Sequence, residues 1–255
     1  MRYDLEKIIE FSKGVDHVFH LAAQVSVVRS IEDPYFDASN NILGTLNMLK
    51  LSKVLDAEKV IVYSSAAVFG DPIYVPIDEK HPKNPINPYG LSKLSSEMYA
   101  SLLNKLDSVP AVVIRPFNVY GFGQNPEDPY AGVISAFIGR VLKGKPPVVY
   151  GGEETRDFVN VKDLIDATIL AVKVEDSIGE DFNIGSGKET SIMELAEIVI
   201  DAAGVDLDPI IKPMRKGDIM RSVANIEKAR KVLGYEPKVE LSEGIKEILE
   251  KSSKS

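Results

Sequence analysis

The sequence predicts an α/β protein with a mostly parallel sheet covered by helices. Short apolar runs alternate along the chain with longer amphipathic ones, the order expected of strand–helix–strand units. The short runs are rich in Val and Ile without polar alternation, which suits strands buried on both faces. The longer runs carry apolar residues at helical spacing.

In chain order, an amphipathic helix is expected over 5–13 and a first strand over 17–21. A long helix follows at 35–55, where Ile42, Leu43, Leu46, Met48 and Leu49 leave a polar face at Asn40, Asn41, Asn47 and Lys50. Residues 59–64 form the second strand. Asn87-Pro88 then signals a helix over 89–106, because proline is suited to the first helical turn. Strands at 111–115 and 181–184 continue the alternation, with helices at 131–142, 161–174 and 191–203. Beyond Gly204 the texture changes. Pro209, Pro213, Gly217 and Pro237 break up a lobe that ends in two short helices, 225–233 and 242–249. Residues 1–150 read as the sheet domain and 151–255 mainly as a smaller lobe, with 160–204 returning to the sheet.

At 255 residues the chain can bury one large core with a small lobe beside it. Its 44% hydrophobic and 27% charged residues are those of a soluble globular protein. No apolar run is long enough to span a membrane, and the first residues carry charges where a signal peptide needs an apolar stretch. The absence of cysteine removes disulfides and thiolate chemistry and suits a cytoplasmic location. A net charge of −8 argues against a nucleic-acid or anionic-membrane partner.

The chemistry concentrates at Tyr89-Gly-Leu-Ser-Lys93, with Ser65 standing 24 residues before the tyrosine. A Tyr and a Lys four apart share one helix face. An ammonium beside a phenol of ordinary pKa about 10 favours the phenolate, so Tyr89 is expected to serve as a base near neutral pH. Ser65, at the end of an apolar strand, offers a hydroxyl to relay the proton. The same spacing occurs at Tyr3–Lys7, but without a preceding strand or a helix-start signal, and reads as an ordinary surface pair. His17, His20 and His81 are scattered and lack metal-ligand spacing; His20 is expected to pack at a strand end without titrating in catalysis. Gly121-Phe-Gly123 and Gly185-Ser-Gly187 read as turns at strand ends, and Glu153-Glu154 as a solvated loop.

Six segments in order carry a family resemblance. They are His20-Leu-Ala-Ala23, Tyr63-Ser-Ser65-Ala-Ala-Val-Phe-Gly70, Pro88-Tyr89-Gly-Leu-Ser-Lys93, Arg115-Pro-Phe-Asn-Val-Tyr-Gly121, Arg156-Asp-Phe-Val-Asn-Val-Lys-Asp163 and Gly217-Asp218. From about Leu5 to Leu249 the chain resembles the extended short-chain dehydrogenase/reductase family, in particular its nucleotide-sugar epimerases. The resemblance implies a Rossmann-like, doubly wound parallel sheet with a small C-terminal substrate-binding lobe, a bound NAD, and a UDP-sugar across the carboxyl ends of the strands.

Carried over position by position, the resemblance makes Tyr89 the base for the sugar 4-hydroxyl. Lys93 holds Tyr89 ionised and bonds the nicotinamide ribose, and Ser65 relays the proton. Ala22, Ala23, Ser64 and Pro116 join Tyr89 and Lys93 around the cofactor. Arg156 and Arg215 clamp the diphosphate, a use suited to a guanidinium fork. Asn118 and Asp218 contact the nucleotide. Ser222 matches a position where a bulky aromatic narrows some hexose-only pockets, so room for a 2-acetamido group is expected.

Two departures sharpen the expectation. Dehydratases and decarboxylases of the family carry an acidic residue just after the Ser or Thr, where this chain has Ala66, Ala67 and Val68; epimerisation of UDP-glucose and UDP-galactose is therefore favoured over elimination. The family also opens with a strand and Gly-x-x-Gly-x-x-Gly, which this sequence lacks, and its first strand resembles the family's fourth. The expectation is an N-terminally truncated sheet, purified without NAD, with a central strand left as an edge. Within the same frame a reductase or dehydrogenase stands as the alternative, and outside it a cofactor-free nucleotide-sugar-binding module or an inactive fragment. The resemblance further implies a homodimer, built by helices matching 35–55 and 89–106; their apolar positions could equally face the sheet.

Overall fold

The computed structural model describes residues 5–124, 132–215 and 217–252. Tyr3 and Ala131, named above, lie outside the described residues. Helix α1 (Leu5–Phe11) leads into strand β1 (His17–His20). After α2 (Val27–Glu32), the segments α3 (Pro34–Ala38), a π-helical turn (Ser39–Leu43) and α4 (Gly44–Val54) run on to β2 (Lys59–Tyr63). A 3-10 turn (Ala66–Phe69) precedes α5 (Pro88–Asp107) and β3 (Ala111–Pro116). Next come β4 (Asn118–Tyr120), α6 (Val133–Val141), β5 (Val148–Tyr150), β6 (Thr155–Arg156) and β7 (Phe158–Asn160). Helix α7 (Val161–Lys173) leads to β8 (Asp181–Ile184), and β9 (Thr190–Ser191) to α8 (Ile192–Ala203). Strand β10 (Ile210–Lys212), α9 (Glu227–Leu233) and α10 (Leu241–Ser252) complete the described fold.

Strands β1, β2, β3 and β8 pair in that order, all parallel. They are the four strands expected from the sequence. Their residues alternate between two covered faces. Val60, Val62, Ala111 and Val113 pack with Leu49 of α4 and Ala100 of α5. Ile61, Val112, Ile114 and Phe182 turn the other way, onto Leu164, Ala167 and Ala171 of α7 and Leu233 of α9. The sheet is doubly wound. A separate cluster joins α6, α8 and α10 through Phe137, Ile138, Leu195, Val199 and Ile245, so α8 packs with the smaller lobe while α7 and β8 belong to the sheet.

The expected helix over 35–55 is divided by the π-helical turn, and α2 was not foreseen. The turn has a visible cause: Asn40 bonds back to the Phe36 carbonyl at 2.7 Å, while Asn41 is directed into a buried polar cluster. Strands β4–β7, β9 and β10 run two or three residues each, too short to leave a periodic signal.

Among the described strands β1 forms one edge of the sheet. Phe19 lies opposite Ile61 in register, yet it is 47% exposed while Ile61 is buried, because no described helix covers that end of the α7-side face. At the opposite end, Lys59 donates to the carbonyls of Ala171, Val172 and Val174, tying β2 to the C-terminus of α7.

Arg115 is the largest buried cation near the sheet, 1% exposed on β3. Its Nε and one terminal nitrogen grip Glu97 of α5 at 2.6 and 2.8 Å, and the guanidinium also meets Asp181 of β8. Replacing Arg115 with Met leaves Glu97 buried without its partner. Urea denaturation is expected to show a loss of about 3–5 kcal/mol.

Candidate active site

The site begins where β2 ends. Ser64 continues the ladder through its N–H to the Ile114 carbonyl at 2.8 Å. Ser65 then caps the 3-10 turn, its hydroxyl accepting from the Ala67 N–H at 3.2 Å. Across from it α5 starts on Asn87, whose side chain accepts from the Gly90 N–H at 2.8 Å, with Pro88 in the first turn. Gly90 allows the close approach. A Cβ there would lie 2.5 Å from the Ala67 carbonyl oxygen. With that approach the Tyr89 phenol comes near enough to the Ser65 hydroxyl for the two to interact, and Lys93 Nζ donates to the Tyr63 carbonyl at 2.8 Å. Ser65, Tyr89 and Lys93 therefore meet at the carboxyl end of β2.

The electrostatics differ from the sequence expectation. Burial pushes the Tyr89 phenol above its ordinary range; the Ser65 hydroxyl opposes that shift and the Asp37 carboxylate adds to it. Burial also pulls Lys93 down to about 8, against the restoring charges of Asp37 and Glu97. The expectation that the ammonium makes the phenol acidic is not met in the ligand-free site. Desolvation disfavours both charged forms; at Lys93 it outweighs the neighbouring carboxylates, and at Tyr89 the Asp37 charge adds to it. His20, bonded to the Thr45 hydroxyl at 3.0 Å, falls to about 4 by burial and by the Lys93 charge, so it stays neutral as expected.

The residues assigned to the cofactor flank this trio. Ala22 and Ala23 follow β1, exposed and half-buried respectively, and Pro116 ends β3. The Ser64 hydroxyl is buried without a hydrogen-bond partner. An orphaned hydroxyl, two small residues and an ammonium with spare donors, at the ends of adjacent strands, fit the nicotinamide half of NAD.

A second centre is a cleft of about 570 Å³ in the smaller lobe. Asn118, Arg156, Arg215 and Asp218 all line it, so four residues far apart in sequence come together as expected. Arg156 is steadied by the carbonyls of Thr155 and Ile219 at 2.8 and 2.7 Å. Asn118 is fixed through its N–H and its side chain to the Asp157 carbonyl, at 3.0 and 3.1 Å. Ser222 stands apart: it is buried on the segment paired with Thr155 and does not line the cleft. Glu154, expected in a solvated loop, is instead buried against the Gly152 N–H at 2.7 Å and lines the cleft.

Sequence reading missed Tyr150. Arg215 stacks on its ring with the guanidinium carbon 3.9 Å from the centroid, and Lys212 lies 5.7 Å away. The only sequence signal was its place before the Gly151-Gly152 turn. A larger groove of about 930 Å³ lies beside α5, lined by Met98, Leu102, Arg115 and Asp181, none of which belongs to the trio.

Residues 2–248 match the family model described as GDP-mannose 4,6 dehydratase. The chain belongs to this family of NAD-dependent epimerases and dehydratases. It is 39% identical over 245 residues to the UDP-glucose 4-epimerase of Mycolicibacterium smegmatis, covering 95% of this chain and 77% of that one. Its fold matches the UDP-glucose 4-epimerase of Thermotoga maritima, solved with UDP-glucose, at TM-score 0.93 and 38% identity, covering 98% and 82%. It also matches the UDP-N-acetylglucosamine 4-epimerase of Methanobrevibacter ruminantium, solved with UDP-N-acetylmuramic acid, at TM-score 0.94 and 36% identity, covering 100% and 81%. The family thus includes both eliminating and epimerising enzymes, and Ala66 lacks the carboxylate an elimination would use at that point.

The Arg215 contact has a readable consequence. Tyr150 ionises below the ordinary phenol range, first because Arg215 donates a hydrogen bond to it and then through the Lys212 charge. Ultraviolet absorbance titration is expected to show this early tyrosinate step, Arg215→Ala to move it upward, and Tyr150→Phe to remove it.

Proposed function

We propose that this chain is an NAD-dependent UDP-sugar 4-epimerase. The observation that carries the reading is the meeting of Ser65, Tyr89 and Lys93 at the end of β2, in a chain that also holds a cation-lined cleft in its smaller lobe. The 36–39% identity to proteins named as UDP-sugar 4-epimerases supports it.

Tyr89, Lys93, Ser64, Ala22, Ala23 and Pro116 are the residues suited to hold NAD. The chemistry NAD supplies when bound is reversible removal of hydride from sugar C4, which gives a transient 4-keto sugar, and its cationic ring favours the phenolate. Tyr89 takes and returns the 4-hydroxyl proton. Ser65 orients that hydroxyl and passes the proton between sugar and phenol. Lys93 supplies positive charge to the phenolate and donors to the ribose. Arg156 and Arg215 hold the diphosphate, with Asn118 and Asp218 on the nucleotide. The relative named as a UDP-N-acetylglucosamine 4-epimerase supports acceptance of the N-acetylhexosamine pair; Ser222, buried away from the cleft, carries no part of that reading.

A homodimer is part of the same proposal. On α5, Leu91, Met98, Leu102 and Leu106 share one face and are exposed, Met98 at 64%, so these apolar positions do not face the sheet. Leu43, just before α4, and Val54 at its end are exposed as well. A two-fold axis would bury both helices against their copies.

Incubation of the protein with NAD and UDP-glucose is expected to yield UDP-galactose with no net accumulation of NADH. NADH accumulating with turnover would favour the reductase or dehydrogenase alternative. Tyr89→Phe should lower turnover by about 10²–10⁴-fold while leaving UDP binding, followed by calorimetry, unchanged. Reaction of the plain hexoses without the N-acetylated pair would refute acceptance of the acetylated sugars.

Sedimentation velocity should show a dimer that Met98→Glu with Leu102→Glu converts to monomer.

A further inference from the structure

Asp37 on α3 is 1% exposed, on a helix packed against α5. One of its oxygens is held by the Gln24 amide at 2.7 Å and the Asn41 amide at 3.1 Å. Its other oxygen is buried with no hydrogen-bond partner. The same Asn41 amide donates to the Ser92 hydroxyl at 3.0 Å, and Ser30, on the preceding helix, accepts from the Tyr89 N–H at 3.1 Å. The α2–α3 layer is thereby stitched to the turn of α5 that carries Tyr89 and Lys93. A carboxylate taken out of water in this way is stable only beside a positive charge.

The surrounding groups identify that charge. The Lys93 ammonium donates to the Tyr63 carbonyl of β2 at 2.8 Å. The carboxylates that act on it through space, without a hydrogen bond, are Asp37 of α3 and Glu97 of its own helix, and it acts in turn on His20 of β1. His20 is neutral. Glu97 is already gripped on both oxygens by Arg115 of β3. That leaves Asp37 as the carboxylate without a cation of its own. We propose that Asp37 is a positioning residue of the active site, the buried counter-ion that keeps the Lys93 ammonium charged and directed at the catalytic tyrosine. Gln24 and Asn41 aim it by occupying one oxygen and leaving the other free. The inference deepens the epimerase reading and rests on the roles given there to Tyr89 and Lys93.

The test follows the lysine directly. In protein labelled with carbon-13 at lysine Cε, the Lys93 signal, assigned by its loss in Lys93→Arg, is titrated over roughly pH 6–11 by NMR. The wild-type midpoint is expected at about 8. Asp37→Asn is expected to lower it by about one pH unit or more, because an opposite charge at close range is removed. Asp37→Glu should restore most of the shift. A midpoint unchanged in Asp37→Asn, with the thermal melt intact, overturns the proposal. If Asp37→Asn does not fold, the wild-type protein still decides: the Asp37 carboxyl carbon must report a step at the Lys93 midpoint, and the absence of that step overturns the proposal. Neither signal depends on sugar turnover. A chain that epimerises while Lys93 ignores Asp37 sinks this inference alone; a chain that shows the coupling without epimerising sinks only the reading beneath it.

Discussion

Lys93 reaches from α5 to the Tyr63 carbonyl, 2.8 Å away, and that bond exists because Gly90 lets the helix settle against the Ala67 backbone. The rest of the site depends on this approach. It brings the phenol of Tyr89 to Ser65, it closes Lys93 off from water, and it leaves the buried Ser64 hydroxyl facing the same corner. The cost is desolvation of two ionisable groups at once, visible as a phenol pushed up and an ammonium pulled down. Such a pair is poised to exchange a proton only when further charge arrives.

The cleft in the smaller lobe is braced by Asp157, the residue after Arg156. Its carboxylate accepts from the Ser186 N–H and hydroxyl at 2.7 and 2.6 Å, from the Gly187 N–H at 3.0 Å, and from the Ala224 N–H at 3.1 Å. Its carbonyl takes both donors of Asn118. One buried residue thus ties the turn after β8, the segment leading to Ser222, and two cleft-lining side chains into a single unit. Four donors explain how the carboxylate tolerates a position where burial pushes its pKa up. The result is a cleft wall braced from behind by one buried carboxylate.

How much of this was legible in the sequence follows from what each feature needs. Strands β2 and β3 were readable because burial on both faces favours unbroken Val and Ile runs. The shorter β1 (His-Val-Phe-His) and β8 (Asp-Phe-Asn-Ile) were placed by their position in the strand–helix alternation. The Tyr89–Lys93 pair was readable because helical spacing alone puts both on one face. The Arg156, Arg215, Asn118 and Asp218 cleft came from family resemblance, since 100 residues separate Asn118 from Asp218 and no local pattern links them. The sign of the Tyr89 shift was not readable, because it depends on how deeply the helix sinks and on Asp37, 52 positions earlier. Tyr150 escaped for the same reason: a stacking partner is defined by Arg215, on another segment.

The contrast between the family's dehydratase label and this chain's epimerase relatives reduces to one short stretch. Ser65 caps a 3-10 turn whose first residue, Ala66, carries no ionisable group. Elimination needs a second acid–base group beside the serine, whereas reversing a stereocentre needs only the proton carrier and a pocket that lets the sugar turn. The protein meets the first requirement with Tyr89. For the second, its anchoring charges sit in the smaller lobe, lining a cleft that contains none of Ser65, Tyr89 and Lys93. Under the epimerase reading, a diphosphate held in that cleft would leave the sugar free to present either face to the same phenol. Separation of grip from chemistry is therefore what suits this arrangement to epimerisation.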